Sequence, residues 1–154
     1  MIRTLDGQVR AVLSDRYRRL DNFDLAETVL PVLARLPGAR VESCELTQRK
    51  MYLKIVTEAV SYELAPGDVV QAGVSVSNSE VGHGGVNVQP LVYRLRCKNG
   101  LISQDHALRR THIGRSAEED SAAYELYRDE TLVADDKAFF LKVRDIVTAC
   151  VSQA

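Results

Sequence analysis

The chain has no apolar run approaching the roughly 18 residues that a membrane-spanning helix needs. Its opening stretch, MIRTLDGQVR, holds no apolar signal-peptide core, so a cytoplasmic location is the expectation. Cysteine is scarce. Cys44, Cys97 and Cys150 are odd in number, widely spaced and set in apolar-periodic segments, which excludes a disulfide framework and predicts buried free thiols. No CxxC pair exists to hold zinc or to cycle between redox states. Charge of one sign is lacking too. The formal net charge is −1, so global electrostatics select no partner.

Motifs of chemistry are equally absent. There is no HExxH, no GxSxG, no DxD pair and no GxxxxGK[ST] loop. The glycine-rich GHGG at 82–85 is followed by a strand pattern rather than a helix, so it lacks the helix N-terminus that phosphate binding uses. No nucleophile, cofactor site or metal site stands out, and the expectation is a protein without catalytic residues, cofactor or metal. One alternative is an acid/base pair of Glu80 and His83, joined by His112, in a metal-assisted hydrolase.

What is present describes an ordinary globular chain. At 154 residues, 45% hydrophobic and 27% charged, residues 1–154 read as a single domain that builds a core without staples. Asp6-Gly7 predicts a tight hairpin in IRTLDGQVRAVL. DLAETVLPVLARLPG predicts a helix, with Asp24 and Glu27 as a capping box and Leu25, Val29, Val32, Leu33 and Leu36 as its apolar stripe. Two strands surround a turn near Gln48. The run GDVVQAGVSVSNSE predicts a strand with Val70, Ala72, Val74 and Val76 on one face and the small, polar Gly73, Ser75 and Ser77 on the other. VGHGG is a loop. VNVQPLVYRLRC is the next strand, which Pro90 marks as an edge or a bulge.

Asn99-Gly100 is the strongest hairpin signal in the chain, with LISQDHALRRTHIG running back beside the preceding strand. Ser116 and Glu119 make a second capping box, and the remaining chain is helical. Its inner stripe is Leu132, Phe139, Val143, Ile146 or Val147, and Cys150. Grouped strands, an early helix and a C-terminal helical part define an α+β fold: an antiparallel sheet of hairpins with helices packed on one face.

The basic residues carry the functional argument. LVYRLRCKNG alternates, placing Leu91, Tyr93, Leu95 and Cys97 on one face and Arg94, Arg96 and Lys98 on the other. If the returning segment pairs with it, Arg109, Arg110 and Arg115 join these cations on one hairpin. Arg16, Arg18 and Arg19 cluster upstream, and Arg49, Lys50 and Lys54 flank the turn near Gln48. Like charges opposed across strands cost stability. They call either for the acidic helix SAEEDSAAYELYRDE or for a phosphate backbone, whose oxygens suit arginine. Tyr17, Tyr52 and Tyr93 are candidates to stack on bases, although Tyr93 shares its face with apolar residues and reads as core. Charge also runs in blocks: +3 over 1–56, −4 over 57–93, +5 over 94–115 and −5 over 116–154. Such blocks neutralise one another within the fold or in a neighbouring copy, making a homo-oligomer a candidate assembly.

The run GVSVSNSEVGHGGVNVQPLVYRLRCKNGLI followed by HIGR resembles a phage- and plasmid-associated family catalogued only as a domain of unknown function. LSDRYRRLDN and DETLVADDKAFFLKVRD resemble it as well, so the likeness spans nearly the whole chain. Asn78, Ser79, Glu80, Gly82, Arg94, Cys97, Asn99, Gly100, His112 and Gly114 match its signature. The resemblance implies a mobile-element context and the core of a longer architecture, with no role to carry over to any residue. The order of elements is also similar to that of phage single-strand annealing proteins, a likeness of fold alone. The expectation is a non-enzymatic nucleic-acid-binding protein, single-stranded DNA favoured, with no membrane partner. Arg94, Arg96, Lys98, Arg109, Arg110, Arg115, Arg16, Arg18 and Arg19 are its contact residues. A third reading is a protein-binding inhibitor of a host defence factor, which predicts an exposed apolar patch and a basic ladder paired with the chain's own acids.

Overall fold

Asp6 and Gly7 both adopt positive φ, at 50° and 76°, and turn the chain between β1 (Ile2–Leu5) and β2 (Gln8–Val12). This is the conformation that the Asp-Gly pair accepts most readily. The hairpin forms a two-stranded sheet of its own. The computed structural model describes residues 1–14, 17–95, 99–102, 108–110 and 128–152.

A six-stranded antiparallel sheet follows, built from β3 (Ala39–Leu46), β4 (Met51–Ala65), β5 (Asp68–Asn78), β6 (Val86–Arg94), β7 (Asn99–Ile102) and β8 (Leu108–Arg110). The first five lie in chain order, while β8 pairs with β6 on Val86–Val88. The helices are α1 (Asn22–Leu33) and α2 (Asp129–Ser152). The α+β architecture and its antiparallel sheet therefore match the sequence pattern.

Period-two alternation sorts the sheet into two faces. Met51, Leu53 and Ile55 of β4 stand opposite Asn78, Val76 and Val74 of β5, and Val76 stands opposite Val88 of β6. These apolar side chains are buried with Leu25, Val29 and Leu33 of α1 and with Phe139, Val143 and Val147 of α2. The centres of both stripes read from the sequence are thus buried, while Val32, Leu36 and Ile146 pack at the margin of the core. The other face carries Tyr52 and Lys54 of β4, Ser75 and Ser77 of β5, and Asn87 and Gln89 of β6. Further along it, Val56, Leu91 and Tyr93 form a small buried cluster.

Several expectations need correction. Helix α1 begins at Asn22, not around Asp24, and its N-cap Asp21 makes no side-chain capping bond. The predicted Asp24–Glu27 box is replaced by Glu80, whose Oε1 accepts the Asn22 N–H at 2.8 Å. Pro90 does not mark a sheet edge. It lies inside β6, opposite Val74, at the gap where the outer partner changes from β8 at Val86–Val88 to β7 at Leu91–Arg94. A residue with no N–H fits where the ladder is interrupted. Asn99-Gly100 is not the turn. Both residues belong to β7, with Arg94 opposite Asn99 and Tyr93 opposite Gly100. Cys44 is exposed rather than buried. The side chains of Cys97 and Cys150, and the Ser116–Glu119 box, lie outside the described residues.

Candidate nucleic-acid interface

The predicted basic ladder divides when the strands are paired. Only Arg94 of its three cations lies in β6; Arg96 and Lys98, together with Arg16 and Arg115, lie outside the described residues. Arg109 and Arg110 pair with Asn87 and Val86, at the opposite end of β6 from Arg94. The hairpin of gathered cations is therefore not formed by the described residues, because β8 pairs with Val86–Val88 while Arg94 lies at the other end of β6, opposite Asn99.

Most of the described candidates already hold carboxylates. Arg94 donates from Nε to Asp68 Oδ1 at 2.7 Å and from Nη2 to Oδ2, and Asp68 is buried to 4% exposure. Arg18 donates twice to Asp136 Oδ2, at 3.0 and 2.6 Å. Arg110 reaches Asp135 at 2.5 Å and Asp136 at 3.0 Å, with its guanidinium 4.8 Å from the Phe139 ring centroid. Arg19 meets Asp21 at 2.6 Å while remaining well exposed. Forked, partly buried pairs of this kind hold a guanidinium in one geometry. They favour the structural role for Arg18, Arg94 and Arg110.

Arg109 differs. It is exposed, stands on the face of Asn87 and pairs with no carboxylate among the described residues. The register continues that row through Ser77 to Tyr52, which is 40% exposed. The next row runs Lys54, Ser75, Gln89. Three strand spacings separate Tyr52 from Arg109, roughly 14 Å. Lys54, and Arg49 and Lys50 in the preceding turn, likewise pair with no carboxylate among the described residues. Small side chains on β5 leave this platform shallow, with an aromatic ring and a cation on β4 and a cation on β8. The sequence named Lys54 and Tyr52 but did not connect them to Arg109. The connection depends on β8 pairing beside Asn87, a long-range register that no local pattern encodes.

The rest of this face is held by a network around Tyr93. Its hydroxyl donates to Glu42 Oε1 at 2.6 Å. That bond raises the phenol's pKa above its ordinary value, burial adds to the shift, and Arg40 opposes it. Arg40 donates to Glu42, Glu58 and Gln71. Tyr93 is therefore a core residue.

The acid/base alternative also finds its residues engaged. Glu80 Oε1 holds the α1 N-terminus, and Oε2 faces Arg10 at 3.4 Å and Arg3 at 3.6 Å. His83 Nδ1 lies 3.3 Å from the Val81 carbonyl, and His112 is outside the described residues. Among the described residues no group of three His, Cys, Asp or Glu side chains is placed to hold a metal. A cleft of about 570 Å³ does open beside His83, lined by Asp6, Gln8, Arg10, Gln48 and Arg49.

The SNSE stretch has a structural role. Asn78 donates to the Leu20 carbonyl and to Asn22 Oδ1, both at 2.9 Å. Ser79 Oγ donates to the Arg49 carbonyl and accepts the His83 N–H. Tyr17 donates to the Ser79 carbonyl at 3.0 Å, and burial is the main reason its phenol pKa is raised. Three consecutive residues thus tie the end of β5 to α1, to the β3–β4 turn and to the first hairpin.

No family model, curated protein or solved structure matches the chain. No helix among the described residues is long and apolar enough to cross a membrane.

Proposed function

We propose that the chain is a non-enzymatic nucleic-acid-binding module that takes single-stranded DNA across the Tyr52–Arg109 platform. The observation that carries this reading is the register that sets an exposed Tyr52, a half-buried Lys54 and an exposed Arg109 on one sheet face. A ring stacks on any base, and cations flanking it attract the backbone without reading sequence. Asn87 and Gln89 between them present amide donors and acceptors to sugar and phosphate. The platform replaces the ladder as the proposed contact surface, since Arg94 and Arg110 are held by Asp68, Asp135 and Asp136. The resemblance to a phage- and plasmid-associated family supports a mobile-element setting, and the order of elements similar to phage single-strand annealing proteins supports a part in recombination or strand annealing. The test is binding of labelled single and double strands across a salt series. Steeply salt-dependent single-strand binding, lowered by Lys54→Ala and Arg109→Ala, is expected; no binding at low salt overturns the proposal.

A second reading is favoured by a different observation. Ile2, Val9 and Val12 are all more than 60% exposed on the first hairpin, while Arg18, Arg94 and Arg110 are paired with the chain's own acids. That combination supports docking of a protein partner on the hairpin. A partner-binding role predicts that Ile2→Ser and Val12→Ser abolish capture of that partner and leave strand binding unchanged.

A further inference from the structure

We propose that two copies of this chain pair through the outer edges of their β3 strands, antiparallel, with a two-fold axis between Glu42 and Ser43. Strand β3 ends the sheet, and no described strand pairs with its outer side. Val41 is 45% and Leu46 68% exposed, and Ser43, Cys44 and Glu45 are exposed as well. Among the described residues no strand takes up the outward backbone donors and acceptors of this edge, which holds neither proline nor lysine.

The bulge decides the register. Between Val41 and Ser43 the pairing with β4 shifts by one residue, so the alternation of faces restarts at Ser43. Ala39, Val41, Cys44 and Leu46 stand opposite Thr57, Ile55, Leu53 and Met51, on the helix-covered face. Arg40, Ser43 and Glu45 stand opposite Val56, Lys54 and Tyr52, on the other face. Glu42, the extra residue, bonds Arg40 and Tyr93 on that second face. The order of faces is now the same read in either direction from the Glu42–Ser43 bond.

In a regular strand, an axis between adjacent residues would oppose side chains from opposite faces. Here every opposed pair shares a face. Val41 meets Cys44 of the second copy, and Ala39 meets Leu46, so apolar groups oppose apolar groups. Arg40 meets Glu45, opposite charges, and each contact occurs twice. An axis through Ser43 would instead set Val41 against Glu45 and Arg40 against Leu46. The pattern therefore selects one partner, a second copy, and one register. This inference does not rest on strand binding, although β3 flanks the β4 residues Tyr52 and Lys54 of the platform.

The test uses Val41→Cys with the native Cys44. Within one chain these positions lie three residues apart on an extended strand, about 10 Å, too far for a disulfide. Across the proposed axis they are direct neighbours at about 5 Å. Oxidation of the full chain should give a covalent dimer whose cross-linked peptide joins 41 to 44, and wild type should sediment as a concentration-dependent dimer. Glu45→Arg, an exposed substitution that sets like charges across the axis, should weaken the dimer about tenfold. A monomer at every concentration overturns the proposal. So does a dimer that yields no 41–44 linkage and is indifferent to Glu45→Arg.

Discussion

Glu80 caps a helix that begins 58 residues before it: its Oε1 accepts the Asn22 N–H at 2.8 Å. The carboxylate also faces Arg3 and Arg10, so one side chain joins the first hairpin, α1 and the loop after β5. Glu80→Ala should lower stability by about 1–2 kcal/mol, the scale of a lost cap, with little effect on strand binding. Glu80→Gln keeps an acceptor for Asn22 but loses the charge, and should fall between. Urea unfolding with a parallel binding assay separates the outcomes.

Gly73 lies where β4 and β5 approach closely. A Cβ there would meet the Ile55 carbonyl oxygen at 2.2 Å. Gly73→Ala should therefore destabilise by about 3 kcal/mol or more, because backbone rather than a flexible side chain must shift. Thermal unfolding measures it, and an unchanged midpoint would contradict the packing described.

Tyr93 provides a pH-dependent check. Its bond to Glu42 holds the folded-state pKa above 10.0. Below pH 10 the phenol is protonated in both states, and the stabilisation is fully present. Above it the unfolded chain releases the proton first, so the contribution declines as pH rises through the folded-state value. Wild type should exceed Tyr93→Phe in stability at pH 7, and the gap should close in the alkaline limb. Urea midpoints from pH 7 to 11 test this.

Lys54→Ala combined with Arg109→Ala should lower the slope of log affinity against log salt by about 1.4, two phosphates at roughly 0.7 each for single strands. Arg94→Ala should leave that slope unchanged. It should instead cost about 1 kcal/mol or more of stability, since Asp68 is buried beneath the pair. The reverse result, a slope change from Arg94 alone, would restore the ladder and remove the platform.

Local patterns in the sequence were enough for the Asp6-Gly7 turn, the Val70–Val76 face of β5 and the Phe139–Val143–Val147 stripe of α2. Each depends on spacing within a few residues. What escaped depends on distant partners. Asn99-Gly100 has the composition of a turn, yet pairing with Tyr93 and Arg94 draws it into β7. The reading of Pro90 as an edge or a bulge failed because two short strands share the outer side of β6 and its register with β5 is unbroken. The Arg94 ladder was read as facing either the acidic helix or a phosphate, whereas Arg94 holds Asp68, 26 residues earlier in a stretch read only for its valines. The candidate platform was half visible. Tyr52 and Lys54 alternate with core residues in plain view, whereas Arg109 joins them only through the β6–β8 register.

The interruption at Pro90 has a mechanical consequence. Since β7 and β8 occupy separate lengths of β6, its outer flank unzips as two pieces. The β8 piece is fastened to α2 through Arg110, Asp135 and Asp136, so its amides exchange with solvent only when that helix lifts. The β7 piece is held to β6 by its own ladder with Leu91–Arg94 and opens separately from the β8 piece.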